Sequence, residues 1–231
     1  MGDLLLAIDT ATSRAVLAVG SLADGTPRAM DAWPGGHAHA ETILPRLATL
    51  LSTSGVRLDV IGGFVVGVGP GGFTGLRVGL ATAKTLAHGL GRPIVGIGTA
   101  EGLAAAVGLH GPATVILPAG PRDRYLVPLG VGAAGPRLLA PAALEAWLAD
   151  PANDRSSLVA VDLDDPAIPD EARRRGASAL DGLAPAMLGL GAAALAGGRA
   201  DDVAALVPAY VTLPRGIAPW QGGVAWSPDL R

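Results

Sequence analysis

The chain has 231 residues and no cysteine. Disulfides, thiolate nucleophiles and cysteine-ligated zinc are therefore excluded. Charge is also scarce. Asp, Glu, Lys and Arg make up 16% of the chain, and Lys84 is the single lysine. The 17 basic and 20 acidic side chains leave a formal charge of −3. A protein that binds nucleic acid unaided needs a strongly basic face, and this balance does not supply one. No continuous membrane-spanning run stands out either. The longest stretch without Asp, Glu, Lys or Arg is 102–121, and it carries four glycines, three prolines and His110. Proline removes helix donors and clashes with the preceding turn, so this stretch is not one spanning helix. Met1-Gly2-Asp3 carries no basic segment of the kind that opens a secretory signal. A cytoplasmic protein without membrane contact is expected.

Half the residues are apolar, which excludes intrinsic disorder. Glycine (34) and proline (19) are abundant, which points to many tight turns. The length suits one large domain or two small ones. On folding, roughly 70% of the unfolded surface is lost at this size.

Leu4-Leu5-Leu6-Ala7-Ile8 and 15–19 are apolar runs joined by the polar turn Asp9-Thr10-Ala11-Thr12-Ser13, which reads as a hairpin. A third strand is expected over 28–33. In 38–52, Ile43, Leu44, Leu47, Leu50 and Leu51 recur at helical spacing, with Pro45 best tolerated in the first turn. Phe64-Val65-Val66-Gly67-Val68 reads as a buried strand. It runs into Gly69-Pro70-Gly71-Gly72-Phe73-Thr74-Gly75 and a helix over 76–88, with Thr74 as the expected N-cap. Another strand follows over 93–97. Beyond it, helices are expected at 100–108, 141–148 and 183–195, and strands at 114–117, 125–127 and 158–161. Strands followed by helices occur twice, which fits two related α/β lobes. The expected division is 1–99, 100–212 and a Pro/Gly-rich tail, 213–231, packing back on the first lobe.

The glycine loop fits two nucleotide templates in part. Gly67-Val68-Gly69-Pro70-Gly71-Gly72 satisfies G-x-G-x-x-G, but no acid stands about twenty residues on to hold a ribose. The Walker pattern also fails, because Phe73-Thr74 stands where Lys-Ser/Thr is needed. Small residues for close packing at a strand-to-helix turn explain the glycines more simply. Exposed N–H groups at the helix start, with Arg77 nearby, still suit an anion. His37 and Glu41 share a helix face while His39 points away, and two ligands are too few for zinc. Asp9, with Thr10, Thr12 and Ser13, suits either a magnesium–phosphate site or an ordinary Asp turn. No G-x-S-x-G occurs. Arg173-Arg174-Arg175 reads as a solvated helix end.

Four segments in order resemble one family. Leu6-Ala7-Ile8-Asp9-Thr10-Ala11-Thr12 is similar to its opening A-I-D-T-[AS]-T. His39 through Ile43-Leu44-Pro45 resembles its H-x-x-x-[IL]-L-P, and Gly67 to Gly79 its hallmark G-x-G-P-G-S-F-T-G-[LVI]-R-[IV]-G. Pro93-Ile94-Val95-Gly96-Ile97 resembles its next strand. The family is TsaB, also called YeaZ and formerly grouped with glycoproteases. The resemblance covers about residues 4–100.

It implies an actin/Hsp70-like ATPase (ASKHA) fold of two related α/β lobes with mixed sheets. It also implies a non-catalytic subunit of the machinery that makes threonylcarbamoyladenosine beside the tRNA anticodon. The implied partners are a catalytic TsaD-type paralogue, a TsaE-type ATPase and, through the complex, tRNA. The implied interface lies on the two first-lobe helices, at Ile43, Leu44, Leu47, Leu51, Leu76, Arg77, Leu80, Ala83 and Lys84, the alternative being that the apolar stripes cover the lobe's own sheet; the sequence does not assign the faces. The same surface suits a homodimer when the chain is alone. No tightly bound cofactor is expected. Weak ATP or ADP contact at Asp9, Thr10, Gly69, Gly71, Gly72 and Thr74 is the alternative, as in an active ATPase or phosphotransferase. Two departures oppose it. Pro118-Ala119-Gly120 stands where many members read D-A-R, and Pro208-Ala209-Tyr210-Val211-Thr212 lacks the arginine of P-x-Y-x-R. A metallopeptidase, suggested by the older label, has neither a zinc triad nor HExxH.

Overall fold

Residues 4–9 are apolar on both sides of the strand, and in the computed structural model they form β1 (Leu4–Asp9) at the centre of a sheet covered on both faces. The structure describes residues 2–35 and 39–211. The tail at 213–231 and the His37–His39 pair, whose roles were expected from sequence, lie outside the described side chains. β1 is followed by β2 (Arg14–Ser21) and β3 (Pro27–Pro34), an antiparallel meander. β4 (Ile61–Gly67) and β5 (Ile94–Ile97) run parallel to β1 on its other side, giving the order β3-β2-β1-β4-β5.

The second sheet contains β6 (Ala113–Pro118), β7 (Arg124–Leu129), β8 (Arg137–Leu139) and β9 (Leu158–Ala160), ordered β8-β7-β6-β9. Its first three strands are again an antiparallel meander, and β9 again lies parallel to the first of them. The second sheet thus repeats the order and sense of β3-β2-β1-β4. This is the expected α/β architecture with two mixed sheets.

Side chains alternate across β1. Leu6 and Ile8 pack with Ile43, Leu47 and Leu50 of α1 (His39–Thr53) and Leu80, Ala83 and Ala87 of α2 (Phe73–Leu90). Leu5 and Ala7 face the other way, onto α3 (Thr99–Ala106) and α5 (Asp170–Ala196). Val115, Leu117, Val127 and Val159 of the second sheet join that same cluster. α3 and α5 therefore fill the space between the two sheets. The outer face of the second sheet packs Ile116, Leu126 and Leu158 against Leu144 and Leu148 of α4 (Pro141–Ala149).

Two glycines let α5 lie close to both sheets. A Cβ at Gly176 would stand 1.7 Å from the Ala160 carbonyl oxygen, and one at Gly191 would stand 2.0 Å from Val65 Cγ2. Among the described residues, α5 is the one helix long and apolar enough to cross a membrane by length and composition. Here its apolar face is the wall that both sheets share.

Several expected boundaries shift. The helix expected over 183–195 is the second half of α5, which has 27 residues. Its charged first turns concealed it, because Arg173 and Arg174 pair with Asp170 and Glu171 one turn earlier. The arginine run lies at a helix end, as expected, and that end is the N-terminal one of α5. Pro45 lies well inside α1, beyond its first turn. Gly72, in extended conformation, takes the N-cap expected of Thr74, and its carbonyl accepts the Leu76 N–H at 2.9 Å. Gly91 ends α2 with a left-handed φ of 60°. β8 was not expected at all, being three residues long beside a glycine-rich turn.

Candidate functional site

The parallel strands β1 and β4 end side by side, so the Asp9 turn meets the glycine loop there. Asp9 does not face the cleft. It is fully buried beneath the loop, where its Oδ1 accepts the Ala11 N–H at 2.8 Å and its Oδ2 accepts the Thr99 hydroxyl at 2.7 Å. Thr99 Oγ1 in turn accepts the Gly69 N–H at 3.1 Å. Gly67 makes the room: a Cβ there would sit 1.8 Å from Asp9 Oδ2. Burial pushes the Asp9 carboxyl up to about 6, partly offset by the bonds from Ala11 and Thr99.

Thr10 is likewise turned inward, and its hydroxyl donates to the Gly75 carbonyl at 2.7 Å. A Cβ at Gly79 would fall 2.3 Å from that hydroxyl oxygen. The Gly72 N–H donates to the Ala11 carbonyl at 2.7 Å. The turn and the loop are thus tied to each other by the groups that sequence alone offered to a ligand. Gly69, Gly71, Gly72 and Thr74 do come together with Asp9 and Thr10, as expected, but Asp9 and Thr10 act as supports.

Between the sheets lies a cleft with two connected hollows of about 510 and 430 Å³. Both are walled by Gly71, Gly72 and Phe73 from the glycine loop and by Pro118 and Gly120 from the β6–β7 turn. In the smaller hollow the one charged lining residue among the described residues is Asp162. Its carboxylate accepts the Ser13 hydroxyl at 2.6 Å and the Ser13 N–H at 3.2 Å. At the mouth of the larger hollow, Arg77 lies over the Phe73 ring at 3.9 Å and donates to the Tyr210 hydroxyl at 2.9 Å. Asp162, Thr99 and Tyr210 were missed as partners of this site. Each is far away in sequence, and no local pattern announces the pairing. Among the described residues, no three His, Asp or Glu side chains gather as metal ligands.

The helix pair needs a correction. Ile43, Leu47, Leu76, Leu80 and Ala83 were expected to face a partner, but all are buried: Ile43, Leu47, Leu80 and Ala83 in the chain's own core against β1, β2 and β4, and Leu76 beside Gly69 of the glycine loop. The apolar stripe seeks the sheet, because that is where water is excluded. Leu44, 55% exposed, and Arg77 do face outward, while Leu51 and Lys84 are half-buried. Lys84 donates to the carbonyls of Leu206 at 2.8 Å and Ala204 at 3.3 Å, holding the chain's return segment against α2. Pro45, Ala48, Ala81 and Thr85 of these helices are also exposed, while Phe73 and Thr74 line the cleft.

Comparison with known proteins adds the following. A family model described as TsaD, tRNA N6-adenosine threonylcarbamoyltransferase, matches residues 34–142. The tRNA threonylcarbamoyladenosine biosynthesis protein TsaB of Escherichia coli (strain K12) is 38% identical over 116 residues, covering 50% of this chain and 48% of that protein. The protein of the same description from Haemophilus influenzae is 40% identical over 73 residues, 31% of each chain. The chain thus spans about half, or less, of the length of these curated relatives. The solved structure of YeaZ from Pseudomonas aeruginosa superposes with a TM-score of 0.65 at 23% identity, covering 91% of this chain and 100% of that one. At that identity the likeness shows a shared fold.

Proposed function

We propose that this chain, similar to TsaB over about half its length, is an accessory subunit of the cytoplasmic machinery that adds a threonylcarbamoyl group to N6 of the adenosine beside the tRNA anticodon. It does so without chemistry of its own, by pairing with a catalytic TsaD-type paralogue, with a TsaE-type ATPase joining them and tRNA reached through the complex. The observation that carries the reading is the burial of Asp9. Its carboxylate is sealed beneath the glycine loop and bonded to Ala11 and Thr99, so it ties the β1–β2 turn to the start of α3 instead of meeting a substrate. The rival reading, an ATPase or phosphotransferase using Asp9 at a bound metal, lacks an accessible carboxylate there.

The pairing surface is the outward face of α1 and α2. Leu44 offers apolar area there, and Ala48 and Ala81 are small enough for a second helix pair to approach closely. The deciding experiment is threonylcarbamoyl transfer to tRNA by purified TsaD- and TsaE-type partners supplied with activated intermediate. Transfer should depend on this chain and be absent from it alone. Leu44→Asp should keep the wild-type melting temperature and lose at least tenfold in stimulation. Full transfer without the chain would overturn the accessory role. Full stimulation by a folded Leu44→Asp chain would overturn the surface.

A further inference from the structure

We propose that Asp162 plugs the inter-sheet cleft against phosphate ligands, its carboxylate occupying the anion position of the β1–β2 turn. That turn offers two adjacent donors, the Ser13 N–H and the Ser13 hydroxyl, the pair that a phosphate oxygen or a carboxylate accepts. Both are taken. Asp162 Oδ2 accepts the first at 3.2 Å and Oδ1 the second at 2.6 Å, from a residue 149 positions away on the far side of the cleft.

The backbone makes the same point independently. Asp162 has φ of 55°, the one non-glycine with a positive φ among the described residues. Left-handed backbone is the ordinary province of glycine, and Asp is among the few other residues that visit it. A side chain held there, just past β9, delivers a negative group to the cleft where glycine would deliver nothing.

The described lining adds no cation to offset that charge. Among the described residues, Asp162 is the only formal charge on the walls of the 430 Å³ hollow. The Thr10 hydroxyl is given to Gly75 and the Gly72 N–H to Ala11. Arg14, beside Ser13, pairs with Asp181 of α5. A phosphate entering beside Ser13 would meet a like charge. This reasoning does not depend on the accessory-subunit reading. It concerns inorganic phosphate and the phosphates of a nucleotide alike.

Isothermal titration of the full chain with inorganic phosphate and, separately, with MgATP tests it. Wild type should give no saturable binding of either at millimolar ligand. Asp162→Gly, which suits the left-handed φ and removes the charge, should bind at least one of them tenfold or more tighter than the wild-type limit. Binding of MgATP alone would identify a nucleotide as the excluded ligand, and binding of both would identify phosphate itself. Adding Ser13→Ala should weaken the gained binding. Asp162→Asn gives the second variant, with an unliganded melting curve as the folding check for each. Saturable wild-type binding as tight as that of the variants would overturn the plug. So would folded Gly and Asn variants that bind neither ligand, or gained binding that ignores Ser13→Ala.

Discussion

Asp9 keeps an ionisable group where no water reaches. Its folded carboxyl titrates near 6, against 3.8 for the ordinary group, chiefly because burial penalises the charge. The sign follows from proton binding. The folded chain holds this proton after the unfolded chain has released it. Ionisation therefore costs stability as pH rises from about 4 to about 6, and below that window the cost is absent. At 1.36 kcal/mol per pH unit, the full cost is about 3 kcal/mol. Asp9→Asn cannot ionise, so it should gain on wild type by about 2 kcal/mol between pH 4.5 and 7.5. Urea denaturation of both proteins at the two pH values measures this, and parallel pH profiles would refute it. The sequence made Asp9 visible as chemistry because Asp beside Thr and Ser is a common ligand grouping. Its true surroundings were invisible, since Thr99 is 90 positions away and the space for it is made by what Gly67 lacks.

At the scale of elements, the same helix teaches two opposite lessons about glycine. Gly191 of α5 faces Val65, and a methyl group there would overlap a β-branched side chain that has no room to move. Gly189, two residues earlier, has nothing within 4 Å of its missing Cβ. Gly191→Ala should cost about 1–3 kcal/mol, as overpacked cores do. Gly189→Ala should stabilise by about 0.5–1 kcal/mol, as removing glycine from a helix does. Thermal melts of the two variants beside wild type decide both. Periodicity revealed α1, α2 and the central strands, because burial on one or both faces imposes a repeat on the sequence. It could not say which neighbour buries each stripe. Hence Ile43, Leu47, Leu76, Leu80 and Ala83 looked like surface for a partner and proved to be core. β8 and the start of α5 carry charge or are too short for any repeat to develop, and so went unread.

For the molecule as a whole, the two sheets share one apolar cluster through α3 and α5. Neither sheet can lose its partner without exposing that cluster. The chain should therefore unfold in one step. Trp33 packs with the first sheet and Trp147 against the second-sheet cluster. Urea midpoints followed by Trp33 alone and by Trp147 alone, with the other three tryptophans replaced by Phe in each case, should coincide, and separate midpoints would mean independent lobes. The doubled strand order was legible in outline, as alternating strands and helices. The links across the cleft, Ser13–Asp162 and Arg14–Asp181, were not, because nothing local in a sequence records a meeting between its two halves.

The lone lysine has a consequence of a practical kind. Lys84 already spends its amine on the carbonyls of residues 204 and 206. Any reagent, tether or enzyme that seeks a lysine side chain finds a single address on this protein. That address is the clasp by which the returning chain is fastened to α2. To modify it is to undo the clasp, so a sample coupled through its lysine is an altered sample.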